Sequence, residues 1–257
     1  MGRVAREKSE SGIYHVVTRG INRQDIFYDD EDCLRYLETL ARYKKEGKFT
    51  LLGYCLMGNH LHLLLQEKME SISVIMKRIG TSYAWWYNNK YERTGHVFQG
   101  RYKSECVNDE AYLLTAIRYI HQNPVKAEVA AKPEAYRWSS CRAYFTGNEY
   151  PAGLTDTDTV LSSFKSCKQS AGDQFHQFMG QKNDERCLED IVKKKICDSA
   201  LKKEIERLAG GISVSVLQSM ERAEMNKILV MAKELPGSSL RQISRVTGIG
   251  ISIIARA

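Results

Sequence analysis

Two apolar runs, Phe49–Met57 and His60–Gln66, flank Gly58-Asn59, a pair that reads as a tight hairpin turn. A hairpin of this length fixes one strand pairing, and the rest of the chain must fold around it. Within its second run His60 and His62 alternate with Leu61 and Leu63. Side chains two apart on a strand share a face, so the imidazoles project together while the leucines face a core. Two neutral imidazoles on a rigid strand make a ready metal pair. Taken alone, the run is read as simply by two half-buried strand histidines, each held by a local hydrogen bond.

The neighbouring segments extend the pattern. Ile13 to Gly20 is rich in β-branched and aromatic residues and predicts a first strand. Asp29-Asp30-Glu31-Asp32 places carboxylates at a helix start, and Cys33, Leu34, Leu37, Leu40 and Ala41 follow at helical spacing until Gly47. Ser71–Lys90 predicts a second helix, with Ile72, Ile75, Ile79, Tyr83 and Trp86 as its apolar stripe. Gly95–Val107 reads as a fourth strand. A third helix is expected from an Asn108 cap to Asn123, with Pro124 ending it. The order β-α-β-β-α-β plus an added helix predicts an α+β fold: a ferredoxin-like antiparallel four-stranded sheet with helices on one face.

Beyond this part, Thr146–Ser170 is rich in Gly, Thr, Asp and Ser and reads as a linker. Helical spacing returns at Leu188–Cys197, Ala200–Leu208 and Glu221–Leu235. Pro236-Gly237-Ser238-Ser239 then precedes Leu240–Val246, and Thr247-Gly248 separates that segment from Ile249–Ala257. Two short helices about a glycine turn read either as a helix-turn-helix or as a packing corner. The expected division is 1–145 as a first domain, 146–185 as a linker and connecting helix, and 186–257 as an all-α, helix-turn-helix-like DNA-binding domain.

A net charge of +7 over 257 residues leans toward an anionic partner, though mildly. Seven cysteines without a CxxC pair read as reduced thiols in a cytoplasmic protein. The charged N-terminus shows no signal peptide, and no apolar run approaches membrane-spanning length.

On the third predicted helix Leu113, Ala116, Ile117 and Ile120 make a buried face, with Tyr112, Tyr119 and Asn123 at its edge. Tyr119 and Asn123 are i and i+4, neighbours on one ridge. An edge tyrosine also reads as an amphipathic anchor, and Asn123 as a helix C-cap.

Four segments, GIYHVVTRGINRQDIFYDDEDCLRY (12–36), YCLMGNHLHLLL (54–65), GHVFQGRYKS (95–104) and RYIHQNPVKA (118–127), resemble in order and spacing the single-tyrosine HUH-type transposases. The REP-associated tyrosine transposases look most similar, over roughly residues 12–145. Gly58 stands where members commonly carry Pro, a change a turn accepts. The resemblance implies that His60 and His62 are the metal-binding pair and that Tyr119, not Tyr112, is the nucleophile. Asn123 falls where the family places a third metal ligand. It further implies a Mg²⁺- or Mn²⁺-dependent single-stranded DNA transesterase that acts at hairpin-forming repeats through a covalent 5′-phosphotyrosine. A monomer or homodimer is expected in a bacterial, nucleoid-associated setting. A domesticated DNA-binding regulator that keeps the fold without cleavage is the alternative.

Arg19, Arg101 and Lys103 are candidates for phosphate contacts and Tyr102 for base stacking; each equally reads as a solvated strand residue. Residues 186–257 weakly resemble the DNA-binding domain of the bacterial replication initiator, above all at Ser239–Ser244. The Asp-His-Thr of that domain is absent here, and Gly248-Ile249-Gly250-Ile251-Ser252 occupies its place.

Overall fold

The computed structural model describes residues 6–164, 170–181, 196–235 and 238–257. The expected helical spacing over Leu188–Cys197 and the Pro236-Gly237 break lie largely outside them. The chain divides into two compact units, Met1–Glu189 and Asp190–Ala257. Among the described residues, no helix is long and apolar enough to cross a membrane.

The first unit is built on β1 (Ile13–Arg19), α1 (Asp30–Lys45), β2 (Phe49–Met57), β3 (His60–Glu67), α2 (Ile72–Lys90), β4 (Lys103–Cys106) and α3 (Glu110–Lys126). All pairings in the four-stranded sheet are antiparallel, in the order β2-β3-β1-β4. The hairpin is where the sequence placed it, with Met57 opposite His60 across Gly58-Asn59.

Even-numbered β1 residues Tyr14 and Val16 join Leu61, Leu63 and Leu65 of β3 in one core with α1 and α2. Leu64, Leu52, Cys55 and Met57 belong to a second core on the opposite face, with Leu113, Ala116, Ile117 and Ile120 of α3. The expectation of helices on one face therefore holds for α1 and α2 and fails for α3. Strand β2 is buried at every position, and a strand apolar along its whole length needs a cover on both sides. Gly53 lets α3 come close, since a Cβ there would collide with the Ile117 side chain.

Local chemistry sets the helix ends. Asp29 caps α1 in a reciprocal box with Asp32. Lys90, at the end of α2, reaches Asp29, Glu31 and buried Asp32 at 2.8, 2.9 and 2.9 Å and ties the two helices together. Burial pulls the Lys90 pKa down, but the three carboxylates outweigh it and hold the ammonium charged. The cap of α3 is Asp109, which accepts from the Tyr112 N–H. Asn108 is not the cap; its carboxamide oxygen is taken by Ser9 and Glu10. Pro124 does not end α3 either. It lies inside the last turn, where the helix runs on to Lys126 and the Ala127 N–H reaches Asn123.

Strand β4 is shorter than Gly95–Val107. Phe98 bridges Gly20 and the Gln99 N–H reaches the Arg19 carbonyl, but the chain then leaves the β1 edge and returns at Lys103. The stretch expected as a linker is largely packed: Leu154 enters the first core, while Val160, Phe175 and Met179 join the second. These come from the segment around α4 (Cys141–Thr146), α5 (Asp158–Leu161) and α6 (Ala171–Gly180).

The second unit contains α7 (Asp198–Leu208), α8 (Arg222–Glu234), α9 (Leu240–Thr247) and α10 (Ile251–Arg256) around Leu201, Ile205, Leu229, Ile243 and Ile254. Ser239 caps α9, and Gly248 turns the chain at φ 71°. Arg245 forks onto Asp198 with two 2.7 Å contacts, joining α9 to the start of α7.

Candidate active site

The odd-numbered face of β1 and the histidine face of β3 meet beneath α3. His60 lies opposite Arg19, and His62 opposite Val17, with their rings 5.3 Å apart at 80°. His62 is fully buried and His60 half-buried. The Asn59 carboxamide oxygen is 2.7 Å from His60 Nδ1, and its amide nitrogen donates to the Arg23 carbonyl. An oxygen partner requires the proton on His60 Nδ1, which leaves Nε2 as that ring's basic nitrogen.

His62 is held from two sides. Asn123 Nδ2 lies 3.1 Å from its Nε2, and His15 Nε2 lies 3.0 Å from its Nδ1. An amide N–H at Nε2 makes that nitrogen an acceptor, so the proton sits on Nδ1 and is donated to His15. His15 in turn presents Nδ1 to Glu105 at 3.9 Å, directly across the β1–β4 ladder. The His15 and His62 rings stack at 5.3 Å, and both side chains are wholly buried. Asn123, His62 and His15 thus form a hydrogen-bonded row through an otherwise apolar layer, with the Glu105 carboxylate beyond its end. Like Asn59 beside His60, the row leaves Nε2 unprotonated, the nitrogen that could then ligate an ion.

Helix α3 brings the remaining groups. Tyr119 and Asn123 share its site-facing ridge, as expected from i,i+4 spacing. The Tyr119 ring is 5.7 Å from that of His62 and 6.0 Å from that of His15, edge-on to each. Lys126 Nζ sits 4.8 Å over the Tyr119 ring, where a cation favours negative charge on the phenol oxygen. Tyr112 lies two turns earlier, about 10 Å along the helix axis. His121 belongs to the core: its Nε2 is 2.8 Å from Ser140 Oγ, and burial pushes its pKa down to about 3.

The donor set suits a hard divalent cation. His62 Nε2 and the Asn123 carboxamide lie 3.1 Å apart, close enough that both could serve one ion. Turning the amide over offers its oxygen in place of the nitrogen. Among the described residues no cluster of three His, Cys, Asp or Glu side chains is arranged to hold an ion.

The four candidate DNA-contacting residues divide. Arg19, opposite His60, and Lys103, opposite Val17 beside His62, share the histidine face. Arg101 and Tyr102 line a cavity with residues of α1 and α2. His15 and Glu105 were not singled out from the sequence. Their only signal was an ionisable residue in each edge-proximal strand, and a register is needed to bring them together.

No curated protein matches the chain. Among solved structures, a REP-associated tyrosine transposase bound to a REP hairpin is similar, at 16% identity and TM-score 0.48, over 61% of this chain and 93% of that one. Residues 8–123, which contain β1 to β4, His60, His62, Tyr119 and Asn123, match the family described as "Transposase IS200 like". Through those residues, somewhat under half of the chain, the protein is similar to the IS200-like transposases.

Proposed function

We propose that the first unit is a metal-dependent single-stranded DNA transesterase that nicks and rejoins DNA at hairpin-forming repeats, with Tyr119 as its nucleophile. The observation that carries this reading is the buried meeting of Tyr119, His62, His15 and Asn123 under one helix. His60, His62 and Asn123 would hold Mg²⁺ or Mn²⁺, which, when bound, offsets charge on a phosphate oxygen. Imidazole donors favour Mn²⁺ and oxygen donors suit both.

The chain's own residues do the rest. Helix α3 orients the Tyr119 hydroxyl toward the histidine face, and its oxygen bonds to phosphorus as the phenol proton leaves. The P–O3′ bond breaks, and the departing oxygen takes a proton to become a free 3′-OH. The 5′-phosphotyrosine retains the energy of the diester, so attack by another 3′-OH reverses the step and joins strands without a nucleotide cofactor. Lys126 on the Tyr119 ring stabilises the emerging phenolate, while Arg19 and Lys103 hold phosphates beside the cleaved one. In the second unit α9 and α10 about Gly248 serve as a helix-turn-helix-like DNA-docking element.

Wild-type protein with Mn²⁺ and a single-stranded hairpin oligonucleotide should give a denaturation-resistant protein–DNA adduct. Tyr119→Phe should reduce it by about a thousandfold or more, because the covalent path is gone. An undiminished adduct would transfer the role to another residue. Hairpin binding without nicking in any divalent metal would favour the regulator.

A further inference from the structure

Away from the histidine face, a cavity of about 380 Å³ opens between the β1 edge and α2. Gly100, at φ 68°, turns the chain off the sheet after Gln99 and carries Arg101 and Tyr102 around the gap before β4 begins. Three cations, Arg6, Lys77 and Arg101, line the cavity, and no carboxylate does. Arg6 is anchored by stacking 3.8 Å over the Tyr102 ring and by donating to the Tyr102 carbonyl. Phe98 and Tyr102 supply aromatic surface. At its wall is Thr18, 8% exposed, whose hydroxyl is buried and has no hydrogen-bond partner among the described residues. An unsatisfied buried hydroxyl costs stability, so its retention against this cavity calls for a ligand that completes it.

We propose that this cavity is a binding pocket for one unpaired nucleotide, a reading that rests on the proposed DNA substrate. Its base lies against Phe98 and Tyr102 and takes a hydrogen bond with Thr18, while Lys77 and Arg101 hold its phosphate. Both parts of the ligand follow from the lining: cations without acids select an anion, and aromatic walls with one isolated hydroxyl select a flat heteroaromatic with polar edges. Thr18 and Arg19 are consecutive on β1 and face opposite sides of the sheet, and Arg19 lies opposite His60. A single strand passing round the short β4 edge therefore joins this pocket to the histidine face. A hydroxyl both donates and accepts, so the pocket discriminates among bases instead of merely binding them.

The test titrates the full chain, without metal, with each of the four deoxynucleoside 5′-monophosphates and with inorganic phosphate, following backbone amide shifts. At least one nucleotide should perturb Thr18, Phe98 and Tyr102, and bind more tightly than phosphate. Lys77→Ala should weaken all four by about fivefold. Thr18→Val, which keeps the side-chain shape, should compress the preference among bases by about fivefold and leave the melting temperature equal or higher. Equal binding of phosphate and nucleotides would overturn the proposal, as would silent amides or a base preference unchanged in Thr18→Val. A lowered melting temperature would show that the hydroxyl has an internal partner and would overturn it too. Because no cleavage is involved, nucleotide binding with no Tyr119 adduct would discard the transesterase and keep the pocket.

Discussion

Leu63 and His62 are adjacent in β3, yet they serve different structures. On the leucine face, Leu61, Leu63 and Leu65 pack with Tyr14 and Val16 against Tyr36, Tyr83 and Tyr87, a layer of apolar and aromatic groups. Two of the tyrosine hydroxyls donate to backbone carbonyls, Tyr83 to Ile26 and Tyr87 to Asp25. On the histidine face the same strands bury His15 and His62 beneath Asn123 and Tyr119, with apolar packing only to one side. Asn123, His62 and His15 are joined there in a hydrogen-bonded row, whereas the leucine face is lined mainly by apolar and aromatic groups. One sheet thus separates stability from chemistry by strand parity, a division that substitutions can break on either side.

On the chemical side, His62→Ala should cost most. Removing a partner of a metal-ligating histidine typically costs ten- to a hundredfold, so losing the imidazole itself should lower Mn²⁺ affinity by more than about a hundredfold. Adduct formation should fall with it, and the melting temperature should fall as well, because His15 and Asn123 lose a buried partner. Calorimetric Mn²⁺ titration and a thermal melt of the same sample check both halves. An unchanged affinity would move the metal site elsewhere.

The neighbouring Leu63→Ala should lower stability alone. The side chain is wholly buried in a dense core, so truncation should cost about 2–5 kcal/mol of stability by denaturant titration. Under conditions where the variant is folded, Mn²⁺ affinity should match wild type. If affinity falls as far as in His62→Ala, the two faces are not independent.

How far this arrangement can be read from sequence depends on how local the information is. The hairpin was legible because period, turn pair and strand length all lie within Phe49–Glu67. The Tyr119–Asn123 ridge was legible because helical spacing is local as well. The side of the sheet chosen by α3 depends on a partner distant in sequence, and only the unbroken burial of β2 hints at it. The His15–His62 contact depends on the β1–β3 register, which neither strand states alone. Composition misled at 146–170, where turn-rich sequence concealed Leu154 and Val160 as anchors. Pro124 misled because a proline inside a helix removes one backbone hydrogen bond without having to end the helix, and α3 runs on to Lys126.

The Lys90 clamp lies on the leucine side, where it meets the fully buried carboxylate of Asp32. Lys90→Met removes the cation beside buried Asp32 and leaves that carboxylate its backbone donors and the Tyr91 hydroxyl. A fully buried pair broken this way costs about 3–5 kcal/mol; the partial exposure of Lys90 and Asp29 reduces the expected loss to about 2 kcal/mol. Chemical denaturation should show it with Mn²⁺ affinity unaltered. No loss would mean that solvent already screens the cluster.

The smallest effect is the most informative about the histidine face. If His15 sets the His62 tautomer, then ¹⁵N spectra of the metal-free protein should show His62 protonated at Nδ1 and imine-like at Nε2. His15→Leu removes the acceptor for that proton, so His62 should sample both tautomers, with the Nε2–H form unable to ligate. Mn²⁺ affinity should fall by about tenfold. His15→Gln offers a carboxamide oxygen to the same N–H and should recover most of both signals. A purely steric role for His15 would predict the reverse ranking, since Leu fills apolar space well and leaves no polar group unsatisfied. Leu and Gln therefore separate packing from proton placement at one position. A wild-type His62 protonated at Nε2 would remove the ordered row altogether, and the two faces would then differ in composition without differing in purpose.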